Sequence, residues 1–184
     1  MKIIFSIIIQ MFLILSCVSQ NNRFEIKRYE TCVDDFCLSN NENLLKNFKD
    51  FDKYFYNHDG CINLINRDKF IYFRMTHYPG DYKYKMSLFE IGYISNVDTT
   101  GFYEYDGLFL TNNHTALGDT EKKIIGLQGL PHKISTIDNF KIYHYRVDES
   151  NSMYVKDNNE YAYIIEYWFV NGKLVKLIFG FEYP

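Results

Sequence analysis

Five histidines, four cysteines and a scatter of carboxylates are the side chains here that could do chemistry, and their spacing decides which kind. His58, His77, His114, His132 and His144 stand far apart, and none makes the His-x-x-x-His spacing that puts two metal ligands on one helix face. Gly118, Gly126 and Gly129 fit neither the dinucleotide-binding nor the phosphate-loop spacing. No Gly-x-Ser-x-Gly occurs, and no Cys stands beside a strong candidate base. His144 alternates with Tyr143 and Tyr145, so on a strand it shares a face with Ile142 and Arg146, and a structural or solvent-facing role is expected. Glu160, Glu166 and Glu182 could in principle pair as acid and base, but nothing in their spacing favours that over solvated strand edges. The expectation is a chain with no catalytic residue, no metal site and no cofactor.

Cysteine carries a clearer signal. After Met1 and Lys2 an apolar run extends from Ile3 to Leu15, shorter than the roughly 20 residues of a membrane-spanning helix, which reads as a signal peptide over 1–16. Its end, Ile14-Leu15-Ser16-Cys17, resembles the bacterial lipobox. That resemblance implies cleavage after Ser16, diacylation of the Cys17 thiol and acylation of its new amino group. Each buried CH₂ of an acyl chain contributes about 0.8 kcal/mol, and two chains anchor stably. The alternative is ordinary secretion, with Cys17 inside a discarded leader. Cys32, Cys37 and Cys61 would remain in the exported chain, where an oxidising compartment permits a disulfide.

The elements between them bear on the pairing. Ser39-Asn40-Asn41-Glu42 is a capping box, and Leu44, Phe48, Phe51 and Phe55 recur at helical spacing, which predicts a helix from Asn40 to Asn57. Such a helix is about 27 Å long, and Cys37 and Cys61 would flank its ends, whereas bridged Cα atoms lie within about 7 Å. Cys32 with Cys37 is the easier pair. A zinc site is the rival reading, but three sulfurs without a Cys-x-x-Cys pair make it weak.

Tyr and Phe number 17 and 16, and this aromatic wealth favours strands. Net charge is −3; a leader whose only charge is Lys2 leaves 19 basic against 23 acidic residues, or −4, so nucleic acid is not an expected partner. Lys69–Met75 and Met86–Ile94 read as strands able to pair, and Phe102–Leu110 as a further strand or edge. Asp119 or Thr120 can cap a two-turn helix from Glu121 to Gln128 that Gly129 ends. Lys141–Val147 reads as a strand, and Asn171-Gly172 joins the runs Tyr161–Phe169 and Lys173–Phe181 as a hairpin. The chain should close on a three-stranded antiparallel meander.

From Leu117 to Phe179 the chain resembles the SmpA/OmlA (BamE-like) lipoprotein family and the wider group of β-lactamase-inhibitor-protein-like folds. The residues that carry the resemblance are Gly118-Asp119-Thr120, Gly129-Leu130-Pro131, Tyr143-His144-Tyr145 and Asn171-Gly172-Lys173. The resemblance implies an α+β fold, short helices packed on a small antiparallel sheet, with an envelope location and a non-enzymatic assembly or binding role. The expected layout is a tether and Cys-bearing loop over 17–38 and one α+β domain over 39–184, whose part 39–113 adds a helix and strands to the SmpA/OmlA-like part 114–184. The expected function is a lipid-anchored bacterial envelope protein, at the outer membrane, that binds a protein partner; the alternative is an inhibitor or immunity protein for a hydrolase or toxin. The aromatics either fill the core and cover the sheet, or expose a binding patch at Tyr161, Tyr163, Tyr167 and Trp168.

Overall fold

The computed structural model describes residues 26–38, 41, 60–81, 85–95 and 97–183. The leader, Cys17, residues 18–25 of the tether and, apart from Asn41, the helix expected over Asn40–Asn57 lie outside the described residues. Runs rich in aromatic and β-branched residues form most of the elements, because such side chains pack well on a pleated surface. In chain order these are β1 (Cys32–Val33), β2 (Phe36–Cys37), β3 (Cys61–Asn66), β4 (Ile71–Thr76), β5 (Leu88–Tyr93) and β6 (Tyr103–Glu104). Then come α1 (Glu121–Gln128), β7 (Lys133–Ile137), β8 (Phe140–Asp148), α2 (Met153–Asp157), β9 (Ala162–Val170) and β10 (Lys173–Phe181). β1 and β2 form a small ribbon, and the other strands form one sheet in the order β6-β3-β4-β5-β10-β9-β8-β7. Every pairing in that sheet is antiparallel except β3 with β6.

The expected α+β architecture is corrected by this arrangement. Strands take 43% and helices 12% of the described chain, and α1 and α2 are its only two α-helices beside a 3-10 turn at Glu149–Asn151. Among the described residues, the inner face of the sheet is covered by the β1–β2 ribbon through Val33 and Phe36 and by irregular chain through Ile26, Leu38 and Phe109, while the helices add Ile124 and Val155. The expected closing meander is present as β8, β9 and β10, and it is extended by β7 on one side and β5 on the other.

Local signals explain the elements that were expected. Thr120 takes the N-cap of α1 and its hydroxyl accepts from the Lys123 N–H, while Gly129 ends the helix at φ 85°. Asp119, the other candidate cap, instead accepts from the Ala116 N–H and the Lys123 ammonium. Between β9 and β10, Asn171 and Gly172 have φ of 49° and 72°, the pair of positive values that a two-residue hairpin of this twist requires. Gly180 allows β10 to close on β5: a Cβ there would lie 2.2 Å from the Ser87 carbonyl oxygen. That contact joins the two halves of the sheet.

The core is aromatic. Phe73 and Phe89 meet edge-to-face at 5.0 Å, and Phe89 and Phe179 at 5.5 Å, so one aromatic file crosses β4, β5 and β10. Each such pair contributes about 0.5–1.5 kcal/mol beyond the area it buries. One carboxylate lies within this core. Glu30, fully buried, accepts from the Thr115 hydroxyl at 2.7 Å, the Asn113 amide at 3.0 Å and the Tyr167 hydroxyl at 3.1 Å. The Tyr163 hydroxyl donates to its backbone carbonyl, which ties the N-terminal segment to β9.

Candidate functional site

Strand alternation splits the sheet into an inner face and an outward one. On β9, Tyr163, Ile165, Tyr167 and Phe169 are buried, while Ile164, Glu166 and Trp168 are half-buried and point outward. The expected patch therefore does not exist as a single surface. Tyr163 and Tyr167 are core residues at 0% exposure; Tyr161, just before the strand, is exposed under the Arg146 guanidinium, and Trp168 sits on the opposite face from the two buried tyrosines. The sequence pattern divided the residues correctly between faces, but the patch mixed members of both.

Register brings two outward rows together across distant strands. One runs through Asn63, Arg74, Glu90, Ile178, Glu166 and His144. The adjacent row runs through Tyr72, Gly92, Lys176, Trp168, Ile142 and Ser135. Gly92 shapes the second row, because a Cβ there would lie 2.7 Å from the Tyr72 ring; its absence lets that ring lie across β5. The Tyr72 hydroxyl donates to Glu90, and burial, then that hydrogen bond, holds the phenol well above its ordinary pKa. Lys176 Nζ lies 3.3 Å from Glu90 Oε1 and 5.1 Å from the centre of the Trp168 ring. Arg74 Nε donates to Asn63 Oδ1 at 2.7 Å, and Arg74 is the register partner of Glu90 on β4 while Lys176 reaches the same carboxylate from β10.

Beside this row opens a cavity of about 400 Å³, walled mainly by Tyr72, Tyr93, Phe140, Val170 and Val175, with Ser95, Asn139 and Lys176 as its polar lining. Pockets of roughly 300–1,000 Å³ with apolar walls and few polar groups suit small ligands. Phe140 packs edge-on against Trp168 at 5.6 Å, which joins the cavity to a second arrangement further along the sheet.

There the Trp168 Nε1 donates to Glu166 Oε2 at 3.0 Å, Glu166 Oε1 lies 3.1 Å from His144 Nδ1, and His144 Nε2 lies 2.6 Å from Ser135 Oγ. A carboxylate only accepts, so it assigns the proton of the neutral imidazole to Nδ1 and leaves Nε2 to accept the Ser135 hydroxyl. His144 is thus partly exposed and held through both ring nitrogens. Ser135 carries no motif, and its nearness to His144 follows from the β7–β8 register, where Ser135 pairs with Ile142 and Lys133 with His144.

The remaining candidates lie elsewhere. Cys32 and Cys37 form a disulfide, with Cα atoms 4.0 Å apart. Cys61 is not in that bridge and its sulfur is 3.5 Å from Thr76 Oγ1. Among the described residues, no group of three or more His, Cys, Asp or Glu side chains is arranged to hold a metal ion, and no helix is long and apolar enough to cross a membrane. Compared with protein-family models, curated proteins and solved structures, the chain matches none. The outward face has to be read from its own geometry.

Proposed function

We propose that this chain is a binding protein of the bacterial cell envelope, held by acyl chains on Cys17, that takes an apolar ligand with a negatively charged head in its outward cavity. The observation that carries the binding reading is the cavity of about 400 Å³ with mainly aromatic and valine walls and Lys176 in its lining. Apolar walls supply the affinity, since burying hydrocarbon is worth about 25 cal/mol per Å². The Lys176 ammonium, which lines the cavity, selects the head group. Anchoring rests on Ile14-Leu15-Ser16-Cys17 behind an apolar leader, and the resemblance of the closing part to SmpA/OmlA lipoproteins supports the same location. The ligand is either free or a group displayed by a protein partner, and both present the same chemistry to the cavity.

The test uses 1-anilinonaphthalene-8-sulfonate, an apolar anion whose fluorescence rises on burial. Titration of the folded protein is expected to give a single saturable site. Phe140→Ser and Lys176→Gln should each weaken it about tenfold or more, because each removes about 1.4 kcal/mol or more of the interaction. Binding that is unchanged in both variants refutes the assignment.

A further inference from the structure

We infer that Ser135 is an activated nucleophile, with His144 as its base and Glu166 as the positioning carboxylate, and that it accepts the acyl group of esters whose acyl chain is apolar. The inference goes beyond ligand binding and stands on a different set of contacts. A hydroxyl within hydrogen-bond reach of an imidazole, which is itself held by a third group, is the arrangement that raises serine reactivity. Here both links are within reach, at 2.6 Å from Ser135 Oγ to His144 Nε2 and 3.1 Å from His144 Nδ1 to Glu166 Oε1. Glu166 is in turn fixed by the Trp168 indole, 3.0 Å from its other oxygen. His144 and Glu166 are each 26% exposed, so the relay is partly sheltered and still open to a reactant. Ser135 is half-buried on β7, which among the described residues is the last strand at its end of the sheet. Lys133 shares its face two residues earlier, pairs with His144 and is exposed, so its ammonium can meet negative charge that develops on a reacting carbonyl oxygen.

The step balances without any further cofactor. Ser135 Oγ bonds to the ester carbonyl carbon as its proton passes to His144 Nε2. The carbon–oxygen bond to the alcohol then breaks, and the alcohol leaves with that proton. Water, deprotonated by the same nitrogen, cleaves the acyl-serine to the acid and restores the hydroxyl. The apolar acyl preference follows from the Phe140–Trp168 contact that joins the relay to the cavity.

The experiment treats the full exported chain in detergent with an alkyl fluorophosphonate, which transfers its phosphorus to serine with loss of fluoride, and maps the adduct by peptide mass spectrometry. The expected result is one adduct at Ser135. Labelling should vanish in Ser135→Ala, slow at least tenfold in His144→Gln and in Glu166→Gln, and recover in part in Glu166→Asp, with melting temperatures near the parent's. A purely structural Glu166 would give no such recovery. Ser135→Ala should still bind the anilinonaphthalene probe, so failure of the relay and failure of the cavity are read separately. No adduct in the parent, an adduct at another residue, or an unchanged rate in His144→Gln overturns the inference.

Discussion

Replacing Glu30 with Ala should be among the most destabilising changes to a polar residue in this protein. The carboxylate is fully buried and accepts from Thr115 Oγ1 at 2.7 Å, Asn113 Nδ2 at 3.0 Å and the Tyr167 hydroxyl at 3.1 Å. Thr115 and Tyr167 are themselves at 0% exposure, so their hydroxyls cannot turn to water when the acceptor goes. Each buried donor left without a partner costs about 1–3 kcal/mol, which sets a range of roughly 2–6 kcal/mol for the two. Asn113 is only half-buried and keeps its bond to the Tyr29 carbonyl, so it adds little. Removing a buried charge returns part of its desolvation cost, and the net loss should be about 2–4 kcal/mol. For a chain of this size that lowers the melting temperature by roughly 5–15 °C. Urea unfolding followed by the fluorescence of Trp168, the single tryptophan, measures the loss. Glu30→Gln should fall between, since its carbonyl can still accept from one or two of the donors. An Ala variant within about 0.5 kcal/mol of the parent would refute the reasoning that Glu30 holds the N-terminal segment to the sheet.

Three further outcomes follow from single sites. Gly172→Val places a β-branched residue at φ 72° and should cost about 1–3 kcal/mol; thermal melts equal to the parent's would mean the turn is not the one described. Burial holds the His132 imidazole below its ordinary pKa, and its Nδ1 accepts from the Arg146 N–H at 3.0 Å, so protonation breaks a bond. The unfolded chain then binds the proton more readily, and stability should fall as pH drops through about 6.5 and below, a slope that His132→Gln should flatten in melts from pH 7.5 to 5. Cys17→Ala should abolish incorporation of a fatty-acid probe during metabolic labelling, and label that persists in the variant would exclude acylation at that residue.

The elements legible in the sequence are those with short-range causes. Thr120 and Gly129 bracket α1, and Asn171-Gly172 sets the β9–β10 register. The β8, β9 and β10 meander was also legible, since each strand is a long apolar and aromatic run and β9 and β10 share the Asn171-Gly172 turn. The eight-stranded sheet was not. β10 meets β5 through pairs such as Leu177 with Ile91 and Phe179 with Phe89, and no local pattern announces a partner so far along the chain. β3 and β7 were missed because their polar residues break strict alternation, as in Cys-Ile-Asn-Leu-Ile-Asn and Lys-Ile-Ser-Thr-Ile. The fold class went wrong for a related reason: among the described residues strands dominate, and the ribbon residue Phe36 and the irregular-chain residues Ile26 and Phe109 pack on the sheet beside two short helices.

The site shows the same division. The alternation of β9 separated Glu166 and Trp168 from Tyr163 and Tyr167, yet only burial shows which set faces water. Ser135, His144 and Glu166 are unremarkable one by one, and their contact depends on the register of three strands. Gly92 is legible only in three dimensions, where it makes room for the Tyr72 ring beside the cavity.

The central claim is that the outward face of the sheet is the working surface. It is tested most directly by mapping amide chemical shifts of the labelled protein during titration with dodecanoate, an apolar carboxylate. The shifts are expected to concentrate at Gly92, Tyr93, Val97, Phe140, Val170, Val175 and Lys176, around the cavity, and to leave the inner face near Glu30 and Tyr163 unchanged. Shifts that cluster elsewhere, or none at saturating ligand, would contradict it.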